Sequence, residues 1–395
     1  MKRQFLDLGR QPIANGFLKD KDFDGEFFFD LKVQFDDETC LVSLSEFVPP
    51  EKMFNDDYVY HSSMSITMRE HFEDAARTFI NEYEPSKVME IGSNDGVFVR
   101  HFPEDTTIAV EPCGNFAAMT NEQGYQTYAE FWNVDLARKI LEDHGKQELI
   151  FSANCMCHIQ DIDNAFEAIG NLLTQEGVFI FEDPSLLKMI ERNSYDQIYD
   201  EHAHIFSVVA LNNLLHKHNL QIFKVENLDV HGGSNRIFVK RVDNTVIGMD
   251  NSVWRNIEME RNAGLHKYNT YVDFAKKVEK SKTKLVETLR GYKSQGKKVV
   301  SYGATSKSTT VFNYCGIGPD LIDYIVDTTK DKQGKYSPGT RIPVISPESG
   351  FDNTVDVAFL GAWNFKKEIL NKESGFLERG GKFVTHVPHV RVLGV

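Results

Sequence analysis

Apolar runs and helical spacings alternate along most of this chain. Lys87-Val-Met-Glu-Ile, Thr107-Ile-Ala-Val-Glu, Glu148-Leu-Ile-Phe-Ser and Gly177-Val-Phe-Ile-Phe-Glu are short apolar runs. Between them, Val134–His144 and Asp163–Leu173 carry apolar residues at helical spacing. Strands spaced by helices predict a parallel, doubly wound α/β sheet. Ser65 to Tyr83 reads as a helix through Arg69, Phe72, Ala76 and Phe79. Residues 253–294 carry Lys, Glu and Arg at helical spacing and predict one long linking helix. The strand–helix pattern then restarts at Lys298-Val-Val-Ser-Tyr-Gly, with further strands at Leu321–Asp327, Val355–Leu360 and Gly381–Thr385. Before residue 50, Phe27–Val33 and Thr39–Leu44 read as short strands punctuated by Asp and Gly. The predicted organisation is a small β-rich N-terminal domain (1–64), an α/β domain (65–245), a helical link (246–296) and a second Rossmann-like α/β domain (297–395).

Three glycine-containing stretches and one histidine cluster carry the candidate chemistry. Gly92-Ser93-Asn94-Asp95-Gly96 follows the first predicted strand and opens toward a helix. Glycine lets backbone approach a ligand closely, and the small polar residues offer hydrogen bonds. The stretch lacks the G-x-G-x-x-G spacing of the plain dinucleotide fingerprint. Glu111 ends the next strand, 21 residues after Glu90, where a carboxylate can accept from both hydroxyls of a ribose. An E-x-G-x-x-x-G loop followed by an acid ending the second strand resembles class I S-adenosylmethionine (SAM) methyltransferases.

Tyr199, Glu201 and His202 fall within four positions, with His204 beside them. Histidine is the usual general base near neutral pH, a nearby carboxylate can orient it, and tyrosine can donate to a developing oxyanion. No third ligand of suitable type and spacing accompanies His202 and His204, so no metal is expected. His231-Gly232-Gly233-Ser234-Asn-Arg236 fits a cradle for a phosphate or sugar hydroxyls, and equally a hairpin turn before a strand. Tyr302-Gly303-Ala-Thr-Ser-Lys307 fits a phosphate cradle at a helix N-terminus, and Asp327 and Lys332 lie in the turn-rich segment that follows. A solvated loop is the plainer alternative for that stretch.

Composition narrows the classes. Lys and Arg total 44 against 58 Asp and Glu, a net charge of −14. An acidic chain without a basic tract is a poor ligand for nucleic acid or an anionic membrane. No apolar run reaches the roughly 18 residues of a membrane span. The N-terminus has no apolar signal region, and five cysteines form no disulfide framework. A cytoplasmic protein with reduced thiols is the expectation. Monomer and dimer both remain open.

Taken together and in order, these motifs resemble the C-methyltransferases that act on nucleotide-linked 4-keto-6-deoxyhexoses. Leu8-Gly-Arg-Gln-Pro12-Ile-Ala-Asn15 and Asp57-Tyr-Val-Tyr60-His-Ser-Ser63-Met-Ser fit the family's N-terminal region. The Glu90–Gly96 loop, Asn154, His158 and Asp161, Tyr199–His202 and His231–Arg236 fit the central region. Tyr302–Lys307 and Asp327–Pro343 fit the C-terminal domain, so the resemblance runs from about residue 5 to the end.

The resemblance implies a class I methyltransferase sheet that binds SAM through Gly92–Gly96, Glu111 and Pro112, with Tyr60, Ser63, Asn154 and His158. It implies a sugar nucleotide on the C-terminal domain, held by Tyr302, Gly303, Lys307, Asp327 and Lys332, with His231–Arg236. His202 is then the base, with Glu201 orienting it or contacting the sugar, Tyr199 close to the reacting sugar, and His204 the rival base. The family's N-terminal domain commonly binds a structural zinc through two C-x-x-C pairs. Here only Cys40 stands near the second pair, so no zinc is expected. Cys155 and Cys157 read as buried or cofactor-pocket thiols. The alternative activities are SAM-dependent O-methylation of a nucleotide sugar and an NAD-dependent oxidoreductase or epimerase using residues 298–327.

Overall fold

Four consecutive buried residues, Val88–Ile91, form an inner strand of a sheet covered on both faces. In this computed structural model, which describes every residue except Asp57 and Val395, that sheet has seven strands. From edge to edge they are Leu220–Leu228, Ser234–Arg241, Leu173–Pro184, Gln147–Ala153, Val88–Ile91, Thr107–Val110 and Gln126–Tyr128. The last five pair in parallel. Ser234–Arg241 is inserted antiparallel between its two neighbours. This is the doubly wound class I arrangement, and it places the ends of Val88–Ile91 and Thr107–Val110 side by side, where ligands bind in open α/β sheets.

The predicted helices form where apolar spacing put them: Ile66–Tyr83 buries Met68, Phe72, Ala75, Ala76 and Phe79 on one face. Ser65 caps it by accepting the Met68 N–H, and Glu84 ends it in a left-handed turn.

The second α/β unit has the order Val344–Ile345, Ile325–Val326, Val299–Tyr302, Val357–Leu360, Lys382–Thr385 and Arg391–Leu393. All pairs are parallel except the last. Among the described residues no helix is long and apolar enough to cross a membrane.

Three expectations change. The N-terminal strands Lys2–Pro12, Phe28–Asp36 and Val42–Leu44 take a fourth partner, His204–Ile205, from the central unit. The first sheet is therefore not confined to residues 1–64. The link is two helices, Asn251–Asn262 and Tyr268–Ser294. Gly264 breaks it at φ +80°, with the Thr270 hydroxyl donating to its carbonyl. The longer helix buries Tyr271, Phe274, Val278, Leu285 and Leu289, and its Tyr271 ring lies 4.7 Å from Phe35 of the N-terminal sheet. It thus backs both the N-terminal sheet and the C-terminal unit. Finally, His231–Gly233 belongs to the turn joining two antiparallel strands, not to a phosphate cradle.

That turn has its own steric demand. Gly232 sits at φ +89°, and a Cβ there would lie 2.6 Å from the indole of Trp363. We expect Gly232→Ala to destabilise the protein by about 1–3 kcal/mol, measured as a lowered denaturation midpoint. An unchanged midpoint would show that the indole can move aside.

Candidate active site between the two α/β units

A cleft of about 1270 Å³ opens between the central and C-terminal units. Single small-molecule sites are roughly 300–1,000 Å³, so this one has room for two ligands. Gly92, Ser93, Asn94, Glu111, Pro112, Asn154 and His158 line one end. Tyr302, Gly303, Lys307, Asp327 and Lys332 line the other. Tyr199, Glu201, His202, Tyr60 and His231 also line it.

The glycine loop is held by its own acid. Glu111 accepts the Asn94 N–H at 2.8 Å and the Cys113 N–H at 2.9 Å. Gly92 and Asn94 have φ of +76° and +48°, which turn the backbone sharply after the strand. A Cβ on Gly92 would lie 2.7 Å from the Cys155 sulfur. Asn94 and Asp95 in turn bind the segment before the first helix: Ser62 N–H donates to Asn94, Ser63 N–H donates to Asp95, and Asn94 donates to the Tyr60 carbonyl. Burial pushes the Glu111 carboxyl up, opposed by these N–H donors. The loop, the acid and the cleft beside them fit the adenosyl and amino acid parts of SAM.

His202 is buried, yet its ring reaches the cleft. Its Nδ1 lies 2.6 Å from the Gln197 carbonyl. A carbonyl only accepts, so Nδ1 carries the proton of the neutral ring and Nε2 keeps the lone pair. The Tyr199 ring lies 4.1 Å from the imidazole on one side and the His158 ring 5.4 Å away. Burial, with His158 adding to it, drives the His202 pKa well below 6.5, so the ring is neutral at pH 7. His158 falls to about 4 for the same reason of burial.

Glu201 does not orient His202, contrary to one expectation. Its two oxygens accept from Asn15 Nδ2 at 2.7 Å and the Tyr58 hydroxyl at 3.2 Å. Burial raises its pKa, opposed by those two donors. His204, the rival base, lies apart from the cleft lining: its Nε2 donates to the Gln160 carbonyl at 3.1 Å, and its ring stacks on Phe206. Arg236 also leaves the substrate set. Its guanidinium pairs with Glu182 at 2.6 Å and Glu226 at 3.1 Å inside the sheet, and His71 holds the second Glu182 oxygen at 2.6 Å. Gly232, Gly233 and Ser234 lie outside the lining, in the hairpin turn and at the start of its second strand. Ser63, Asp95 and Gly96 lie one layer behind it and shape the loop.

The C-terminal end repeats the acid-and-loop geometry. Asp327 accepts the Ala304 N–H at 2.6 Å, as Glu111 accepts that of Asn94. Lys332 donates to the Ala304 carbonyl at 2.8 Å. Lys307 and Lys332 are both driven to lower pKa by burial, with Asp196 opposing this at Lys307 and Asp327 and Glu201 opposing it at Lys332. Two desolvated cations facing a cleft are suited to a diphosphate. Asn15, Tyr58 and Gln197 are the site residues that spacing does not reveal. Asn15 and Tyr58 meet Glu201 across 186 and 143 residues.

Two groups of residues bear on metal binding. Residues 1–54 hold one cysteine, Cys40, and no histidine, so a four-ligand N/S zinc site does not fit. In the cleft, ligand atoms of Cys157, His158 and His202 lie within 4.8 Å of one another. Burial pushes the Cys157 thiol up, and a bound cation would pull it down again.

The class I sheet, the glycine loop and the acid at the second strand define a SAM-dependent methyltransferase. Residues 67–225 match a family model described as "Methyltransferase domain" and 229–388 match "C-methyltransferase C-terminal domain". Residues 1–54 match "Putative zinc binding domain", although the thiolates are missing. The chain is 32% identical over 396 residues to C-methyltransferase NovU of Streptomyces niveus, covering 98% of this chain and 93% of that protein. It belongs to the C-methyltransferase family, which displaces the O-methylation and oxidoreductase alternatives. Among solved structures, the PH0226 protein of Pyrococcus horikoshii OT3 is similar at 12% identity and a TM-score of 0.37, covering 50% of this chain and 100% of that one. A SAM-dependent methyltransferase from Clostridium acetobutylicum ATCC 824 is similar at 15% identity and a TM-score of 0.35, covering 44% and 92%.

Two outcomes are expected. Gly92→Ala should weaken SAM binding at least about tenfold, since the loop must shift from Cys155 and a left-handed position becomes strained; calorimetry measures it, and unchanged affinity would dissociate the loop from the cofactor. For pH, a base with a depressed pKa is deprotonated and active above that value. Accordingly, kcat/KM should stay flat down through pH 6.5 and fall only in more acid solution. A half-maximal point at 6.5 or above would argue against His202.

Proposed function

We propose that this chain transfers a methyl group from SAM to the carbon beside the keto group of a nucleotide-linked 4-keto-6-deoxy sugar, at C3, in the cytoplasm. One observation carries the reading. A neutral imidazole with its lone pair on Nε2 lines the middle of a cleft whose two ends are built alike. One end has a glycine loop and a carboxylate; the other adds two half-buried lysines.

A keto group acidifies the neighbouring C–H. His202 Nε2 takes that proton, and the Gln197 carbonyl steadies the imidazolium by keeping its bond to Nδ1–H. The electron pair left on carbon delocalises onto the keto oxygen as an enolate. Tyr199, kept as a neutral phenol by burial, is the hydroxyl donor near this position, the Tyr58 hydroxyl being engaged by Glu201. Glu201, with Asn15 and Tyr58 on its oxygens, is placed to accept from a sugar hydroxyl. When bound, SAM supplies the electrophilic methyl group. Lys307, Lys332 and the Ala304–Lys307 helix start hold the diphosphate, and Tyr302 and Asp327 flank the nucleoside.

Mass spectrometry of a reaction with SAM and a panel of nucleotide 4-keto-6-deoxyhexoses tests this directly. The expected product is S-adenosylhomocysteine with a sugar nucleotide heavier by one methylene. His202→Ala should lower kcat by about 10²–10⁴-fold with SAM affinity nearly intact, while His204→Ala retains turnover. Turnover lost in His204→Ala and kept in His202→Ala would exchange the two assignments. SAM binding without reaction of any panel member would overturn the sugar assignment.

A further inference from the structure

The bond that sets the His202 tautomer comes from a backbone carbonyl, and a carbonyl is only as well placed as its peptide. Gln197 ends the short 3-10 turn Tyr195–Gln197, in which Asp196 is fully buried. Among the described residues, no side chain of the central unit hydrogen-bonds the Asp196 carboxylate. Instead one oxygen accepts the Trp363 indole N–H at 2.5 Å and lies 3.3 Å from His386 Nε2. Both partners belong to the C-terminal unit. The turn is gripped from the same side elsewhere, since the Tyr195 ring packs on His386 at 5.4 Å and on Tyr314 at 5.8 Å.

A buried carboxylate is costly unless paired, so its partners fix where the turn sits. Trp363 also covers Gly232 and carries Lys307 over its ring at 5.7 Å, and Lys307 lines the cleft. The anchor of the turn and the proposed diphosphate end therefore share one indole.

We infer that Asp196 is a positioning residue: pinned by Trp363 and His386 of the C-terminal unit, it places the Gln197 carbonyl that keeps the proton of His202 on Nδ1 and the lone pair on Nε2. This rests on His202 being the base. Asp196 touches no reacting atom, and no proton passes through it.

The test uses the full chain with ¹⁵N-labelled histidine, the His202 signals being identified by their loss in His202→Gln. In the unaltered protein His202 should appear as a single neutral Nδ1–H form at pH 7. Trp363→Phe removes the N–H donor and keeps a smaller aromatic ring at that position; Asp196→Asn removes the charge. Both should give a mixture of Nδ1–H and Nε2–H forms. Both should lower kcat about 10–100-fold, as well as SAM-independent deuterium uptake at the acidic sugar carbon, with KM for the sugar nucleotide and SAM affinity within about twofold of the unaltered protein. Should Asp196→Asn fail to fold, Trp363→Phe decides alone. An unchanged His202 signal and unchanged kcat in Trp363→Phe overturn the inference. So does a loss seen only as raised KM or lowered stability. If the imidazole responds as expected while no keto-sugar exchanges its proton even with the unaltered protein, the positioning stands and the substrate reading fails.

Discussion

The structure depends on how one acidic segment is kept satisfied while buried. Asp196, Asp200 and Glu201 lie within six positions and are at most 3% exposed. Their partners come from elsewhere in the chain. Trp363 and His386 of the C-terminal unit meet Asp196. The Ala14 N–H meets Asp200, and Asn15 and Tyr58 meet Glu201. Leaving a buried polar group without its partner costs about 1–3 kcal/mol, so the segment takes its working shape only when all its surroundings are docked. Ala14 also accepts the Thr309 hydroxyl, which ties the N-terminal arm to the C-terminal unit at the same point. The units are thus coupled through residues next in sequence to the cleft-lining Asn15, Gln197 and Glu201.

The cleft's electrostatics follow from this arrangement. At its centre burial keeps His202 and His158 uncharged and Tyr199 and Tyr58 as phenols, beside the Glu201 carboxyl. Its C-terminal end holds Lys307 and Lys332, whose charges burial disfavours and an anion would favour. Its other end holds Glu111, already engaged by two backbone N–H groups, each carboxylate oxygen retaining room for another donor. An anionic group at one end, a donor-rich ribose at the other and carbon acidity between them is the pattern that such a cleft complements.

Much of this was legible in the sequence because it is local. The strands Val88–Ile91 and Val299–Tyr302 announce themselves as apolar runs ending at glycine, and Glu111 and Asp327 as acids near the next strand's end. What could not be read is what contacts across distance decide. His231-Gly-Gly reads equally as an anion cradle or a turn; the indole of Trp363 pressed on Gly232 decides for the turn. Arg236 reads as a phosphate ligand until Glu182 and Glu226, on neighbouring strands, are seen to claim it. Glu201 beside His202 reads as a pair, yet their side chains find other partners, Asn15 and Gln197. The single linking helix failed at Gly264, where helical spacing persists on both sides of a left-handed residue.

The N-terminal sheet draws its support from the larger fold. A small sheet buries too little surface to stand alone, which is why such domains use metals. Here Leu6, Leu8, Val33, Phe35, Val42 and Leu44 share one continuous core with Tyr271, Phe274 and Val278 of the long helix. His204–Ile205 completes the sheet from the central unit. Each link makes the sheet a part of the larger fold rather than a separate module, so its stability is drawn from the common core. That coupling also serves the site: the sheet's first strand runs directly into Ala14 and Asn15, and whatever steadies the strand steadies the donors to Asp200 and Glu201.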